Sequence, residues 1–296
     1  SVPEDYVVWA TGILQEPGQH FKAKILKSFR MAHESDTVVP IITSEDIQKK
    51  KILRSNRPWH FQAEQVPDFA FATSKKYLWD GTSVRASASD TRRIFVSSAY
   101  PINHNLFNRA AMMSRDIIDL FPEQIIPARF PFPKLTAVSA GEDFGGGMEY
   151  PMMNNCTDYE DTLRMKSILA AELIHNYFPF HVMTNESDYA FLDEGLTSLL
   201  SDQTLTQITK KLNLADEQEH FSSTYEAMAG SRRDIPPMTQ SYMVSDYPAY
   251  FHYAYDRPGA AYYLLKQMVG EKSFIRALEA FMERWEGKHP TPYDFF

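Results

Sequence analysis

Apolar and small polar residues come in short runs along the front of the chain. Tyr6-Val7-Val8-Trp9-Ala10-Thr11-Gly12 is β-branched and aromatic and closes on glycine, Phe69-Ala70-Phe71-Ala72-Thr73 alternates in the same way, and Ile94-Phe95-Val96-Ser97-Ser98 has the same character. All three predict strands. The polar stretch between the first two, rich in Lys and Ser, predicts a long surface loop. From Asn105 the period changes: Leu106, Ala110, Met113, Ile117, Leu120 and Phe121 fall at helical spacing, predicting a helix over 105–121. Pro127, Pro131 and Pro133 end that region, Leu135-Thr136-Ala137-Val138-Ser139-Ala140 predicts another strand, and the glycine-rich Gly145-Gly146-Gly147-Met148-Glu149-Tyr150-Pro151 follows. Helical spacing then dominates, over 159–178, 192–212, 216–229, 259–269 and 272–285. Strands giving way to helices predict an α+β body, with the end of a β domain in front of it.

Composition narrows the possible partners. The 296 residues leave ample chain for a core, and 44% hydrophobic with 23% charged residues argues against disorder, collagen-like repeats and coiled coil. Thirty Lys and Arg against 38 Asp and Glu give a net charge of −8, so no nucleic-acid partner is expected. No apolar run approaches the ~20 residues that span a bilayer. Cys156 is the single cysteine, which rules out an intramolecular disulfide and leaves packing to hold the fold.

The chemistry concentrates in Ala170-Ala171-Glu172-Leu173-Ile174-His175-Asn176-Tyr177-Phe178. Glu172 and His175 are three apart on a predicted helix, so both can face one cleft. A His-Glu-x-x-His helix sets two imidazoles one turn apart on a metal with the Glu beside the bound water, and here Ala171 stands at the first imidazole position. Alone, Glu-x-x-His is a weak signal. Glu194 strengthens it: eighteen residues separate it from His175, enough to finish one helix, turn and return with a carboxylate opposite the imidazole. Upstream, the small residues before Met148 and Glu149 let a backbone approach closely, and the Glu149 carboxylate beside them suits a free α-ammonium.

These residues resemble the zinc aminopeptidases of the aminopeptidase N and leukotriene hydrolase type, the gluzincins. Gly146-Gly147-Met148-Glu149-Tyr150 is similar to their Gly-x-Met-Glu-Asn motif, with Tyr150 where Asn is usual. Glu172, His175 and Glu194 fall on the family's general base, second His ligand and Glu ligand in order and spacing. Tyr177-Phe178-Pro179-Phe180 and Asp193-Glu194-Gly195 look most like a bacterial subgroup, and Tyr255 in Tyr255-Asp256-Arg257-Pro258-Gly259 matches the family tyrosine that donates to the oxyanion. Tyr253 and Tyr262 are expected to pack. The resemblance implies a thermolysin-like, mostly helical catalytic domain with a small mixed sheet over 81–296, preceded over 1–80 by the end of an N-terminal β domain and lacking the family's C-terminal helical domain. It implies a peptide substrate with a free N-terminus, held at Gly146, Gly147, Met148 and Glu149, and a Zn2+ cofactor. Asn176 and Asp193 are candidates to support the ligands. An exported or periplasmic location is favoured over a cytoplasmic one.

The departure is Ala171, because a methyl group cannot coordinate. Two ligands, His175 and Glu194, remain of three, and affinity for zinc should fall steeply. Three explanations compete: a natural pseudopeptidase that binds peptides without cutting them, an engineered inactivation, or a replacement ligand. For the last, His181 is nearest but lies beyond Pro179, and it reads as an ordinary histidine, as do His60, His104 and His252.

Overall fold

A computed structural model describes residues 2–54, 57–87, 90–209 and 214–296 of the chain. It divides into two compact units, one of Ser1–Asp119 with Arg129–Asn176 and one of Leu120–Ala128 with Tyr177–Phe296.

Unit 1 contains β1 (Val7–Ala10), β2 (Ile13–Leu14), α1 (Pro17–His20), α2 (Ala23–Ala32), β3 (Val39–Ile42), α3 (Ser44–Gln48), β4 (Phe61–Gln62), β5 (Phe71–Ser74), β6 (Tyr77–Ser87) and β7 (Asp90–Pro101). It continues through most of α4 (Ala110–Gln124) to β8 (Lys134–Ser139), β9 (Gly147–Tyr150), β10 (Met153–Cys156) and α5 (Thr162–Ile174). Six strands make one sheet in the order β3-β6-β7-β8-β10-β9. The β7–β8 and β8–β10 pairs are parallel and the others antiparallel, so the sheet is mixed, and β9 is an edge strand. Trp9, Phe21, Ile25, Ile41, Trp79, Phe95, Val138 and Met153 form the buried core on one side of this sheet.

The expected loop between the first two strands is largely ordered structure. Ile25, Leu26, Phe29 and Ala32 recur at helical spacing inside a Lys-rich segment and form α2, whose Ile25 and Ala32 are buried. The long hairpin partner of the third expected strand, β6, does not read as a strand because its centre carries Asp80, Gly81, Thr82 and Ser83, all of which are buried. Gly81 is required there: a Cβ would meet Phe95 and Ile41 side-chain atoms at 2.8 and 2.9 Å. The strands expected around Val8, Phe71, Phe95 and Val138 are present.

Unit 2 is helical: α6 (Glu186–Tyr189), α7 (Glu194–Thr209), α8 (Leu214–Glu226), α9 (Tyr247–Phe251), α10 (Arg257–Val269), α11 (Glu271–Trp285) and α12 (Pro292–Phe295), with a wider helical turn at His252–Asp256 between α9 and α10. The expected helices over 192–212, 216–229, 259–269 and 272–285 correspond to α7, α8, α10 and α11, and the part of the first that falls on 210–212 lies outside the described residues. Gly195 on α7 and α10 pack tightly, since a Cβ on that glycine would lie 2.6 Å from Pro258. Among the described residues no helix is long and apolar enough to cross a membrane.

Candidate functional site

The functional residues of unit 1 are gathered by α5 lying on the β9–β10 hairpin. Asp161 starts α5 by accepting the Arg164 N–H at 2.8 Å, satisfying one of the free donors of the first turn. The other end is tied by Asn176, whose Oδ1 accepts the Met152 N–H in the hairpin turn at 3.0 Å while its Nδ2 donates to the Leu173 carbonyl at 3.0 Å. Met152 is in the left-handed region, φ 63°, as tight hairpin turns demand.

Pairing in the hairpin decides which side chains share a face. Glu149 stands directly opposite Asn154, and Gly147 opposite Cys156. Tyr150 and Met153 point the other way, into the unit 1 core. Gly146 is held by Thr157, whose hydroxyl donates to its carbonyl and accepts its N–H, each at 2.8 Å. Gly147 has no room for a side chain: a Cβ would fall 2.1 Å from Glu172 Oε1 and 2.5 Å from its Cγ. The glycine at 147 therefore makes way for the Glu172 carboxylate, whereas a Cβ on Gly146 would meet nothing within 4 Å. Burial, helped by the neighbouring Glu172 charge, pushes the Cys156 thiol well above its ordinary pKa.

Glu149, Glu172 and His175 are 8%, 6% and 3% exposed. One donor atom from each lies within 4.8 Å of the others. One imidazole and two carboxylates is donor chemistry suited to a divalent cation. At position 171, one turn before the imidazole, the half-buried alanine contributes only its carbonyl, which accepts the His175 N–H at 3.4 Å. The residues present thus do not fit the three-ligand zinc set of a His-Glu-x-x-His helix.

In unit 2, Glu194 is the first residue of α7, where the helix dipole favours a carboxylate. The Tyr255 hydroxyl donates to Glu194 Oε1, and the Tyr255 ring stacks on Phe251 with centroids 4.4 Å apart. Burial, reinforced by the Glu194 and Glu186 charges, pushes the Tyr250 phenol up. Tyr253 packs as expected, fully buried and donating to the Thr239 carbonyl at 2.7 Å, and Tyr262 is also buried. His181 faces Glu286 at 3.9 Å, and burial lowers its pKa. His252 is buried between Asp234 at 3.8 Å and Asp256 at 3.6 Å.

Of the residues expected to act, the structure brings Glu149, Glu172 and His175 together in unit 1 and Glu194 with Tyr255 in unit 2. Asn154 escaped the sequence reading. The signal for it was the tight turn after Pro151, which sets a register opposing Asn154 to Glu149.

Carboxylates and an imidazole buried against an edge strand are the makings of a metallohydrolase site, and comparison with known proteins makes the class specific. The chain belongs to peptidase family M1: the model of the Peptidase family M1 domain matches residues 113–296. The fold is similar to that of the M1 zinc metallopeptidase from Deinococcus radiodurans, with a TM-score of 0.64 at 13% identity over 99% of this chain and 57% of that one. A point mutant of the Deinococcus radiodurans enzyme bound to a Tyr-Ser-Ala substrate gives a TM-score of 0.65 with the same identity and coverage. A two-domain M1 zinc metallopeptidase mutant bound to L-tryptophan gives 0.61, again at 13% identity over 99% and 57% of the chains. The chain therefore spans 57% of the length of these structures. Among curated proteins no similar sequence is found.

Proposed function

We propose that this chain is the catalytic part of a zinc aminopeptidase that removes N-terminal residues from peptides, impaired as it stands by Ala171. The observation that carries the reading is the cluster of Glu149 on an edge strand with Glu172 and His175 at the end of α5 in an M1-family chain. An edge strand leaves one row of backbone groups for an extended peptide to pair with, and Glu149 offers a carboxylate for the peptide's terminal ammonium. Glu172 takes a proton from the attacking water and passes it to the leaving amine, a task for a buried carboxylate. Tyr255 donates a hydrogen bond to the oxyanion without adding charge. The family pattern assigns His175 and Glu194 to the zinc, and with a methyl at 171 the set is incomplete.

Ala171 favours a second reading, a catalytically silent protein that binds peptides. The two separate on one variant, Ala171→His, assayed with aminoacyl-anilides and their N-acetylated counterparts. The aminopeptidase reading expects the variant to bind stoichiometric zinc and to cleave only the free-amine substrate. Zinc binding without cleavage supports the silent binder, and absence of both removes the aminopeptidase reading.

A further inference from the structure

The cluster in unit 1 contains more donors than the aminopeptidase reading uses. Asn154 is fully buried in β10, and neither its Oδ1 nor its Nδ2 has a hydrogen-bond partner among the described residues. An amide buried without partners is costly, so its presence needs a reason. Its direction supplies one. The β9–β10 register sets Asn154 directly opposite Glu149, and side chains opposite one another in an antiparallel pair share a face with Cβ atoms about 5 Å apart. Cys156, two residues on and on the same face, feels the Glu172 charge. The unpartnered amide is thus aimed at the side of the hairpin where Glu149, Glu172 and His175 converge.

Charge makes the same demand. Glu149 and Glu172 are both buried, and oxygens of the two lie within 4.8 Å of each other and of a His175 nitrogen. Two carboxylates this close in a low-dielectric setting repel, and a doubly charged cation cancels both. Metal–ligand bonds near ~2.1 Å hold donors around one ion within about 4.2 Å, so small side-chain movements close the cluster.

We propose that the chain with Ala171 binds one divalent cation at Glu149, Glu172 and His175, with the Asn154 carboxamide oxygen as fourth donor. This goes beyond the aminopeptidase reading and is built within unit 1 alone. Three oxygens and one imidazole narrow the preference for Zn2+ over Mn2+ that an imidazole-rich set has, so both ions serve as probes. An ion so held occupies both the carboxylate meant for the substrate ammonium and the proposed general base, so the ion competes with peptide amines for Glu149 and the loaded chain does not cut peptides.

The test is calorimetric titration of the 296-residue chain with Mn2+ and, separately, Zn2+. The expected result is one ion per chain, with affinity at least tenfold weaker in Glu149→Gln and in Asn154→Leu, and changed less than twofold in Glu283→Gln, which removes an exposed carboxylate of α11. Asn154→Leu discards an unpaired amide and should keep or raise the unfolding midpoint of the ion-free protein, so weaker binding by that variant is not a folding defect. Crystals soaked in Mn2+ should give an anomalous peak bonded to Glu149, Glu172 and His175. No binding of either ion, full affinity in Glu149→Gln or Asn154→Leu, or an equal loss of binding in Glu283→Gln overturns the proposal. Because this is measured on the Ala171 chain, its failure is distinct from failure of Ala171→His to regain hydrolysis.

Discussion

Gly147→Ala tests the packing on which the site depends. The added Cβ would fall 2.1, 2.2 and 2.5 Å from Oε1, Cδ and Cγ of Glu172, where ordinary contact begins at 3.4 Å. The carboxylate must retreat by more than ~1 Å, or α5 must lift from β9. Overpacking of this kind costs roughly 1–3 kcal/mol, and a chain of this size loses about 2–4 °C in Tm per kcal/mol. The expected loss is thus on the order of 2–12 °C by circular dichroism. Gly146→Ala is the control: a Cβ there meets nothing within 4 Å, so its effect should stay within about 0.5 kcal/mol.

The cause can be isolated by a double-mutant cycle. Glu172→Ala removes the atoms that clash, so Gly147→Ala should cost at least ~1 kcal/mol less in that background, a coupling well above additivity error. Equal stability of Gly147→Ala and Gly146→Ala, or strictly additive effects of the 147 and 172 substitutions, would refute the claim that Glu172 lies on the β9 backbone.

Asn176→Ala strands the Met152 N–H in the interior and removes one of the bonds to the Leu173 carbonyl, and should lower stability by about 1–3 kcal/mol in urea unfolding. Tyr255→Phe and Glu194→Gln should be coupled by roughly 1 kcal/mol or more, since the phenol donates to a carboxylate; additive effects on unfolding would contradict that bond. Lys134, donating to the Ala10 carbonyl at 2.6 Å, has its pKa pushed down to about 7 by burial. Its folded value lies below the unfolded value of ~10.4, so the unfolded chain binds more protons between the two and stability should rise as pH climbs through that window. In Lys134→Met the rise should flatten, as measured by the urea midpoint from pH 7 to 10; an unchanged slope would show that the ammonium is not shut away.

The parts of the fold readable from the sequence were those with a clean period. The helices of unit 2 follow apolar spacing, and Glu172, His175 and Glu194 were identifiable because a helix and a fixed interval determine their order. What escaped was buried polarity and long-range register. The polar centre of β6 hides a strand that lies inside the sheet, where Thr82 donates to the Ser35 carbonyl at 3.0 Å. Asn154 gains meaning only once the hairpin opposes it to Glu149, and Asn176 only once the Met152 turn reaches it. The packing of Glu172 against Gly147 is likewise absent from the sequence pattern, since a glycine that leaves room for a side chain looks the same as one that leaves room for a backbone. Residue type alone does not reveal which neighbour a glycine serves.

The central claim is that this chain has peptidase chemistry interrupted at one position. Its most direct measurement is kcat/KM for a free-amine aminoacyl-anilide, in zinc-supplemented buffer, for the chain and for Ala171→His side by side. The account predicts that the histidine raises the rate by at least a hundredfold, and that adding Glu172→Gln to it abolishes the gain. Equal rates for the two proteins, or a gain that survives Glu172→Gln, would contradict it.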